Sequence, residues 1–162
     1  MTDSHIGATL YISTTLPATN DAAGFEALTW TKVGGLIQEP QFGKSDEMID
    51  VPSLSTGYST AVKGMGSGMD SSMQFRDVAS DTGQASLIAA ATTYPGDCAV
   101  KIGYGTGAAG ADGNALATGD IVHYAQGVVH SYQRNQGTGT SYKGFQVNFR
   151  QNALAVTDAE PA

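Results

Sequence analysis

The three histidines are considered first, because imidazole is both an acid–base group and a common metal ligand. They are His5, His123 and His130. The last two lie seven residues apart in candidate strands, which places them on opposite faces of a continuous strand unless a bulge at Gly127 intervenes. No spacing typical of a metal site links the three, and we interpret His123 and His130 as strand histidines with hydrogen-bond partners.

A cluster of carboxylates, formed by Asp46, Glu47 and Asp50, has the chemistry to bind a cation or to act as acid and base. No catalytic partner converges on it in the sequence, so a solvated or subunit-facing loop is the better interpretation. The segment from Asp112 to Asn114 lacks the remaining ligands of a calcium loop. The sequence therefore predicts no catalytic residue, no metal ligand and no enzyme.

The single cysteine, Cys98, cannot form a disulfide within the chain. It lies in an alternating apolar run, where a cysteine behaves as a small buried apolar residue. A catalytic thiol is the alternative, but no histidine is close to it in the sequence. We therefore expect Cys98 to be part of the core.

Two glycine-rich motifs suggest phosphate chemistry at first sight. Gly105–Gly110 matches G-x-G-x-x-G after a probable strand, but a dinucleotide site needs a helix at this point, and the turn-forming residues 111–114 follow instead. In the segment Lys63–Gly68 the lysine precedes the glycines, which is the reverse of a phosphate-binding loop. Gly105–Gly110 is therefore predicted to be a flexible hairpin loop, and no cofactor is expected.

Charge excludes one large class of function. The chain has 8 Lys and Arg against 15 Asp and Glu, a net charge of −7 and a pI near 4.6. Proteins that bind nucleic acid tightly neutralise its phosphates with Lys and Arg. A single copy of this acidic chain is therefore not expected to bind nucleic acid tightly. A surface along which DNA slides without adhering is still compatible with this charge.

The N-terminus has no basic start or apolar run, and no window approaches a membrane span of roughly 18 apolar residues, so we expect a soluble protein made in the cytoplasm.

Strands with period-2 alternation must position all these residues. The 162 residues fit one domain, and alternation is strongest in Met69–Arg76, Asp97–Tyr104 and Lys143–Arg150, each with one apolar and one polar face. This predicts a mainly β protein, an antiparallel β-sandwich or split barrel of eight or nine strands. The weaker strand candidates are Thr9–Thr14, Ala27–Val33, Glu47–Val51, Ser59–Lys63, Asp120–Ala125 and Val128–Arg134, of which the last two form one bulged strand or a tight hairpin at residues 126–127.

One flanking helix is predicted over about residues 82–93. Asp81 can cap it by accepting from the amide of Gln84, while the Gln84 side chain reaches back to the Asp81 amide. A narrow apolar stripe of Leu87, Ile88 and Ala91 must then lie on the sheets. The Tyr-Pro-Gly sequence at residues 94–96 ends the helix.

Two long loops and two flexible ends complete the expected single domain. The loops span about residues 34–57 and 103–119, and the flexible ends are residues 1–6 and 153–162. Loops of this length in a compact domain are usually disordered or used for contacts.

The order of these elements resembles that of the major tail tube proteins of long-tailed, non-contractile bacteriophages of the lambda-like type. The resemblance covers roughly residues 8–152. Its main markers are D-x-G-Q-x-x-L-x-A at Asp81–Ala89, after an alternating strand, and G-x-V-x-S at Gly127–Ser131 in a closing hairpin. As a single-domain tail-tube-type protein, the chain would be a structural virion component with no catalysis.

The resemblance implies a sandwich or split barrel with one helix, assembled as stacked hexameric rings around a channel. DNA would pass through this channel without specific binding, and no membrane would be involved. Tape measure, tail tip and tail terminator proteins would be the other partners, and the protein would reside in the phage tail after synthesis in the host cytoplasm. The loop at 34–57 would contact the next ring through Glu39, Phe42, Lys44, Asp46, Glu47 and Asp50.

Two alternatives remain open at this point. A tube subunit of a contractile or secretion-type injection system would share the fold. A ligand-binding β-sandwich, such as a carbohydrate-binding module, would use Trp30 and some of the seven tyrosines as a stacking platform. The lone tryptophan lies in an alternating segment, which favours a core or interface role instead.

Overall fold

The computed structural model describes residues 4–162, which form ten strands and two helices. The mainly β, antiparallel fold class predicted from the alternation is confirmed. In chain order the elements are β1 (Ala8–Ser13), α1 (Ala22–Glu26), β2 (Thr31–Val33), β3 (Leu36–Gln38), β4 (Lys44–Pro52), β5 (Ser59–Gly68), β6 (Asp70–Arg76), α2 (Thr82–Thr92), β7 (Asp97–Tyr104), β8 (Ile121–Arg134), β9 (Gly144–Gln151) and β10 (Val156–Ala159). None of the helices in this range is long and apolar enough to cross a membrane.

The main sheet has the strand order β2-β1-β7-β8-β9-β6-β3, with β10 paired to the first half of β8. Strands β2 and β3 lie at its opposite ends, yet only Gly34 and Gly35 separate them in the chain. The sheet must therefore curl until its two ends approach each other, and β1 and β3 do contact. Strands β4 and β5 form a separate two-stranded sheet.

The main core fills the inside of this curl. Side chains from seven strands and α2 meet there, and the rings of Phe75 and Phe145, on neighbouring strands, stack with centroids 5.2 Å apart. Fully burying one such side chain contributes about 1.5–3 kcal/mol. Cys98 belongs to the same cluster, and burial raises the pKa of its thiol to about 12. Its predicted role as a buried apolar residue is confirmed.

Helix α2 packs across β8, β2 and β1, as its apolar stripe required, with Leu87 fully buried. Asp81 caps it as predicted, because Oδ1 accepts from the amide of Gln84 at 2.7 Å. The other half of the predicted capping box is wrong. The amide of Asp81 donates to Val78, and the Gln84 side chain is turned into the protein, where it donates to the carbonyls of Gly34 at 2.8 Å and Arg76 at 2.7 Å. Helix α2 therefore ties together the two ends of the curled sheet.

A second apolar cluster covers the outside of the sheet. Phe25 of the unpredicted helix α1 stacks on Tyr124 of β8 at 5.1 Å, and Trp30 packs beside them. This cluster buries the second face of β7, which the alternation had predicted to be solvated. Lys101 is the clearest case, because it is only 5% exposed and its ammonium lies 2.8 Å from a Glu160 carboxylate oxygen.

Four other sequence predictions are corrected. The segment 34–57 is not one long loop, since it contains β3 and β4, and the end 153–162 contains β10, which pairs with β8. Only residues 31–33 of the candidate strand Ala27–Val33 form a strand. Residues 121–134 form one strand with neither a hairpin nor a bulge at Gly127; its register against β9 shifts between His130 and Gln133 instead. Of the N-terminal residues 1–6, the first three lie outside the described residues.

Candidate assembly surface

The hairpin of β4 and β5, residues 44–68, is the most exposed regular element of the fold. Its two strands pair with each other from Lys44–Gly68 at the base to Pro52–Ser59 near the tip. Within the described chain it touches the main sheet chiefly through β5 and β9. A two-stranded ribbon alone is at best marginally stable in water, so this element is suited to being completed by a partner.

The base of the hairpin is held firmly by the body. The amide of Gly43 donates to the Gln151 side chain at 3.0 Å, and the amide of Met69 donates to the Gly43 carbonyl at 3.1 Å. Gln151 is itself buried. Gly68 is required here, because a Cβ at this position would collide with the Gln151 carbonyl. The hairpin therefore leaves the body in a defined direction.

Large apolar side chains are exposed along the hairpin. Leu54 at the tip is fully exposed, and Ile49, Val62 and Met48 are 49%, 51% and 61% exposed. Contiguous exposed apolar patches on soluble proteins typically mark interaction sites. The complete set is Met48, Ile49, Val51, Leu54, Tyr58, Val62 and Met65. Sequence reasoning missed it, although the alternation of Glu47–Val51 and Ser59–Lys63 was the available signal.

Two of the six predicted contact residues are engaged with the body of the same chain. Glu39 accepts from the Tyr104 hydroxyl at 3.3 Å and lies against His5. Burial of the Tyr104 hydroxyl is the main cause that raises its pKa, and the charge of Glu39 raises this pKa further. Phe42 is half-buried and packs edge-on against Phe149 of the main core, with ring centroids 6.2 Å apart.

Two more of the predicted residues pair within the hairpin. Asp46 lies 2.8 Å from the Lys44 ammonium and 2.7 Å from that of Lys63. Hydrogen bonds from these two lysines lower the pKa of the Asp46 carboxyl, and the bond from Lys44 has the larger effect. Glu47 and Asp50 are both exposed. The carboxylate cluster predicted from the sequence is thus dispersed along the hairpin.

The predicted strand histidines have the expected partners. Nδ1 of His123 lies 2.8 Å from the Thr157 hydroxyl, and Nε2 of His130 lies 3.1 Å from Asp70. Residues 4–162 contain no group of three His, Cys, Asp or Glu side chains placed to hold a metal ion.

The glycine-rich segment after β7 closes on itself instead of starting a helix. The amide of Gly107 donates to the Ala115 carbonyl at 2.9 Å, and the next regular element is β8. Asp112, considered above as a calcium ligand, accepts from Arg76 at 2.7 Å and from the Gly35 amide at 3.3 Å. The loop therefore braces the junction of β2 and β3.

Trp30 is unsuited to the stacking platform of a carbohydrate-binding module. Its indole N–H donates to the Phe25 carbonyl at 3.0 Å, and its ring packs against Tyr124 and near the ammonium of Lys101. Because both its polar atom and its ring are engaged in the outer cluster, a sugar would have to displace these contacts.

The fold is shared with solved tube proteins. No family model matches the sequence, and no curated protein matches it either. The chain is similar to the SPP1 tail tube protein, with TM-score 0.60, 8% identity and coverage of 96% of this chain and 78% of that one.

Two further solved structures are similar to the chain. The anti-feeding prophage tube-terminating cap has TM-score 0.59 and 9% identity, with 99% and 93% of the chains covered. The sheath–tube complex of an extracellular contractile injection system, PVC, has TM-score 0.57 and 10% identity, with 93% and 88% covered. At these identities the likeness establishes the fold.

Proposed function

We propose that this chain is a structural subunit that polymerises into a tube, without catalysis. The observation that carries the proposal is a tube-protein fold over nearly the whole chain, combined with an exposed apolar hairpin that has no cover within the described residues. Unpaired strand edges and apolar side chains invite association. A head-to-tail contact that does not close repeats into a filament.

The system that we favour is the tail of a long-tailed phage, in which stacked hexameric rings conduct DNA. The element order supports this assignment, and the net charge of −7 suits a wall to which DNA does not adhere. Tape measure, tail tip and terminator proteins would then be the partners. A tube of a contractile injection system is the second candidate, because one of the similar structures comes from such a system. A sheath gene beside the gene for this chain would favour the second candidate.

The contact residues of the proposed tube come from the hairpin. Of the residues inferred from the resemblance, Glu47 and Asp50 are exposed there, on opposite faces of β4, so a partner that covers one face contacts only one of them. The apolar side chains beside them supply the larger part of the expected contact energy, since surface charge pairs are worth about 0–1 kcal/mol.

Electron microscopy of the purified protein tests the proposal. We expect rings or tubes of uniform width as the protein is concentrated. Leu54→Asp should prevent them, because a charge at the apolar tip must be desolvated in the contact. Tyr94→Asp is the matched control, since Tyr94 is equally exposed but lies outside the hairpin. A wild-type protein that remains monomeric at every concentration would contradict the proposal.

A further inference from the structure

The two faces of the hairpin differ in chemistry, as its register shows. Ile49 is paired with Val62, and Val51 with Thr60, so these side chains share one face, which we call the apolar face. The exposed Glu47, two residues before Ile49 in β4, borders the same face towards the base of the hairpin. A Cβ at position 64 would crowd the Ile49 side chain, so the glycine at this position leaves room for Ile49.

The opposite face, which we call the mixed face, carries charge. Met48 is paired with Lys63, and Asp50 with Ala61. The Lys63 ammonium reaches along this face to Asp46 at 2.7 Å. Alternation of this kind is typical of a strand pair with one covered and one solvated side.

The size of the apolar face limits what it can hold. Its strands have 9 and 10 residues. At about 3.3 Å per residue and about 4.8 Å between strands, each face of the ribbon covers roughly 30 by 10 Å, or about 300 Å². A partner that covers it brings the buried total to about 600 Å², which is below the roughly 1,000 Å² of a stable specific interface.

Identical copies can overcome this limit. In a closed ring each copy inserts its own hairpin and receives a neighbour's, so each makes the contact twice. Each contact still buries about 600 Å², but releasing one copy from the ring breaks two contacts and exposes about 1,200 Å² in total, which is comparable to a stable interface. An unrelated partner that covers one hairpin is held by a single contact.

Resting on the proposed tube function, we infer that the apolar face, with Ile49, Val51 and Val62, packs against a second copy of this chain, while the mixed face, with Met48, Asp50 and Lys63, stays in water. Because one contact is too small to hold a pair, the copies pass from monomer to closed assembly without a populated dimer.

Matched substitutions on the two faces test the assignment. Ile49→Ser and Val62→Ser should each raise the protein concentration needed for assembly at least tenfold, as followed by light scattering and sedimentation velocity. Met48→Ser makes the same type of change on the mixed face and should leave this concentration within twofold of the wild type. Sedimentation velocity of the wild type should show monomers and closed assemblies only.

Cysteine labelling gives a readout that does not depend on a polar substitution in the hairpin. In Val62→Cys the new thiol should react with maleimide in the monomer and become protected on assembly. In Met48→Cys the thiol should react in both states. Cys98 does not interfere in folded protein, because it is buried and the pKa of its thiol is raised to about 12.

The outcomes separate the two proposals. Tubes in which position 48 is protected and position 62 is labelled would overturn the face assignment and leave the tube function intact. Equal protection at both positions would do the same. A stable dimer at micromolar concentration would overturn the closed-assembly route, whereas a chain that never associates would overturn both proposals.

Discussion

Glu160→Gln tests the ion pair that holds the C-terminal strand against the main sheet. The Lys101 ammonium lies 2.8 and 3.1 Å from the two Glu160 carboxylate oxygens. Glutamine keeps the shape of the side chain but removes the charge, so a buried ammonium loses its counter-ion. Removing one partner of a buried pair costs about 3–5 kcal/mol. The Glu160 side chain is 18% exposed, and glutamine still offers one acceptor, so we expect a loss of about 2–3 kcal/mol.

The reverse substitution should cost less. In Lys101→Met the Glu160 carboxylate becomes unpaired, but its side chain is 18% exposed and retains access to water. Lys101→Met also removes cation–π contacts with Tyr11, at 4.8 Å, and Trp30, at 5.5 Å, while methionine retains apolar packing. We expect a loss of about 1 kcal/mol. The double variant, Lys101→Met with Glu160→Gln, should be about as stable as Lys101→Met alone. Once the Lys101 ammonium is absent, replacing the Glu160 carboxylate by a neutral amide leaves no buried charge without a counter-ion.

Urea unfolding of the four proteins, at a concentration where single chains dominate, measures this cycle. For a chain of this length a loss of 2–3 kcal/mol lowers Tm by roughly 4–12 °C. If Glu160→Gln stays within about 0.5 kcal/mol of the wild type, the pair is no more than a surface contact. The description of Lys101 as a buried, paired charge would then be wrong.

Four further predictions concern other parts of the fold. Leu87→Ala should destabilise the protein by about 2–5 kcal/mol in the same urea assay, because Leu87 is fully buried; a loss below 1 kcal/mol would show that α2 is not packed as described. Asp81→Ala should cost about 1–2 kcal/mol, since it removes both the helix cap and a hydrogen bond from the junction of β2 and β3; Asp81→Asn, which retains an acceptor, is the control. Cys98 should resist thiol reagents at pH 8 in folded protein and react only in urea, because burial raises the pKa of its thiol to about 12. Hydrogen bonds, chiefly from the amide of Ala117, lower the pKa of the Asp120 carboxyl below its value in the unfolded chain. The stability that they contribute is therefore present above about pH 4 and is lost as the pH falls through the lowered pKa. Hydrogen exchange of the Ala117 amide, corrected for intrinsic rates, should accelerate on acidification and should already be fast in Asp120→Ala.

Local patterns in the sequence were sufficient for much of the fold. Period-2 alternation located β6, β7 and β9 to within one residue, and the capping residue Asp81 located the start of α2. These signals depend on residues close in the chain, so they can be recognised without knowledge of the partners. The five-residue helix α1 was missed because it lacks a full apolar period.

The candidate surface was only partly predictable. The sequence placed contact residues between 34 and 57, and Glu47 and Asp50 are exposed there. It could not show that Phe42 packs against the core or that Asp46 pairs with Lys63, because these partners lie on other strands. Glycines and prolines suggested a loop over 34–57 in which only Glu47–Val51 was a strand candidate, whereas pairing with β5 extends that strand to Lys44–Pro52.

The sequence by itself determined the mainly β class, the capped helix α2, the burial of Cys98 and a net charge of −7. The tertiary structure decided which faces are covered. It joined the sheet ends through Gly34 and Gly35, buried Lys101 against Glu160 and left the β4–β5 hairpin projecting with its apolar side chains exposed. The physical reason is that alternation fixes which side chains share a face, whereas burial of that face depends on segments far away in the chain.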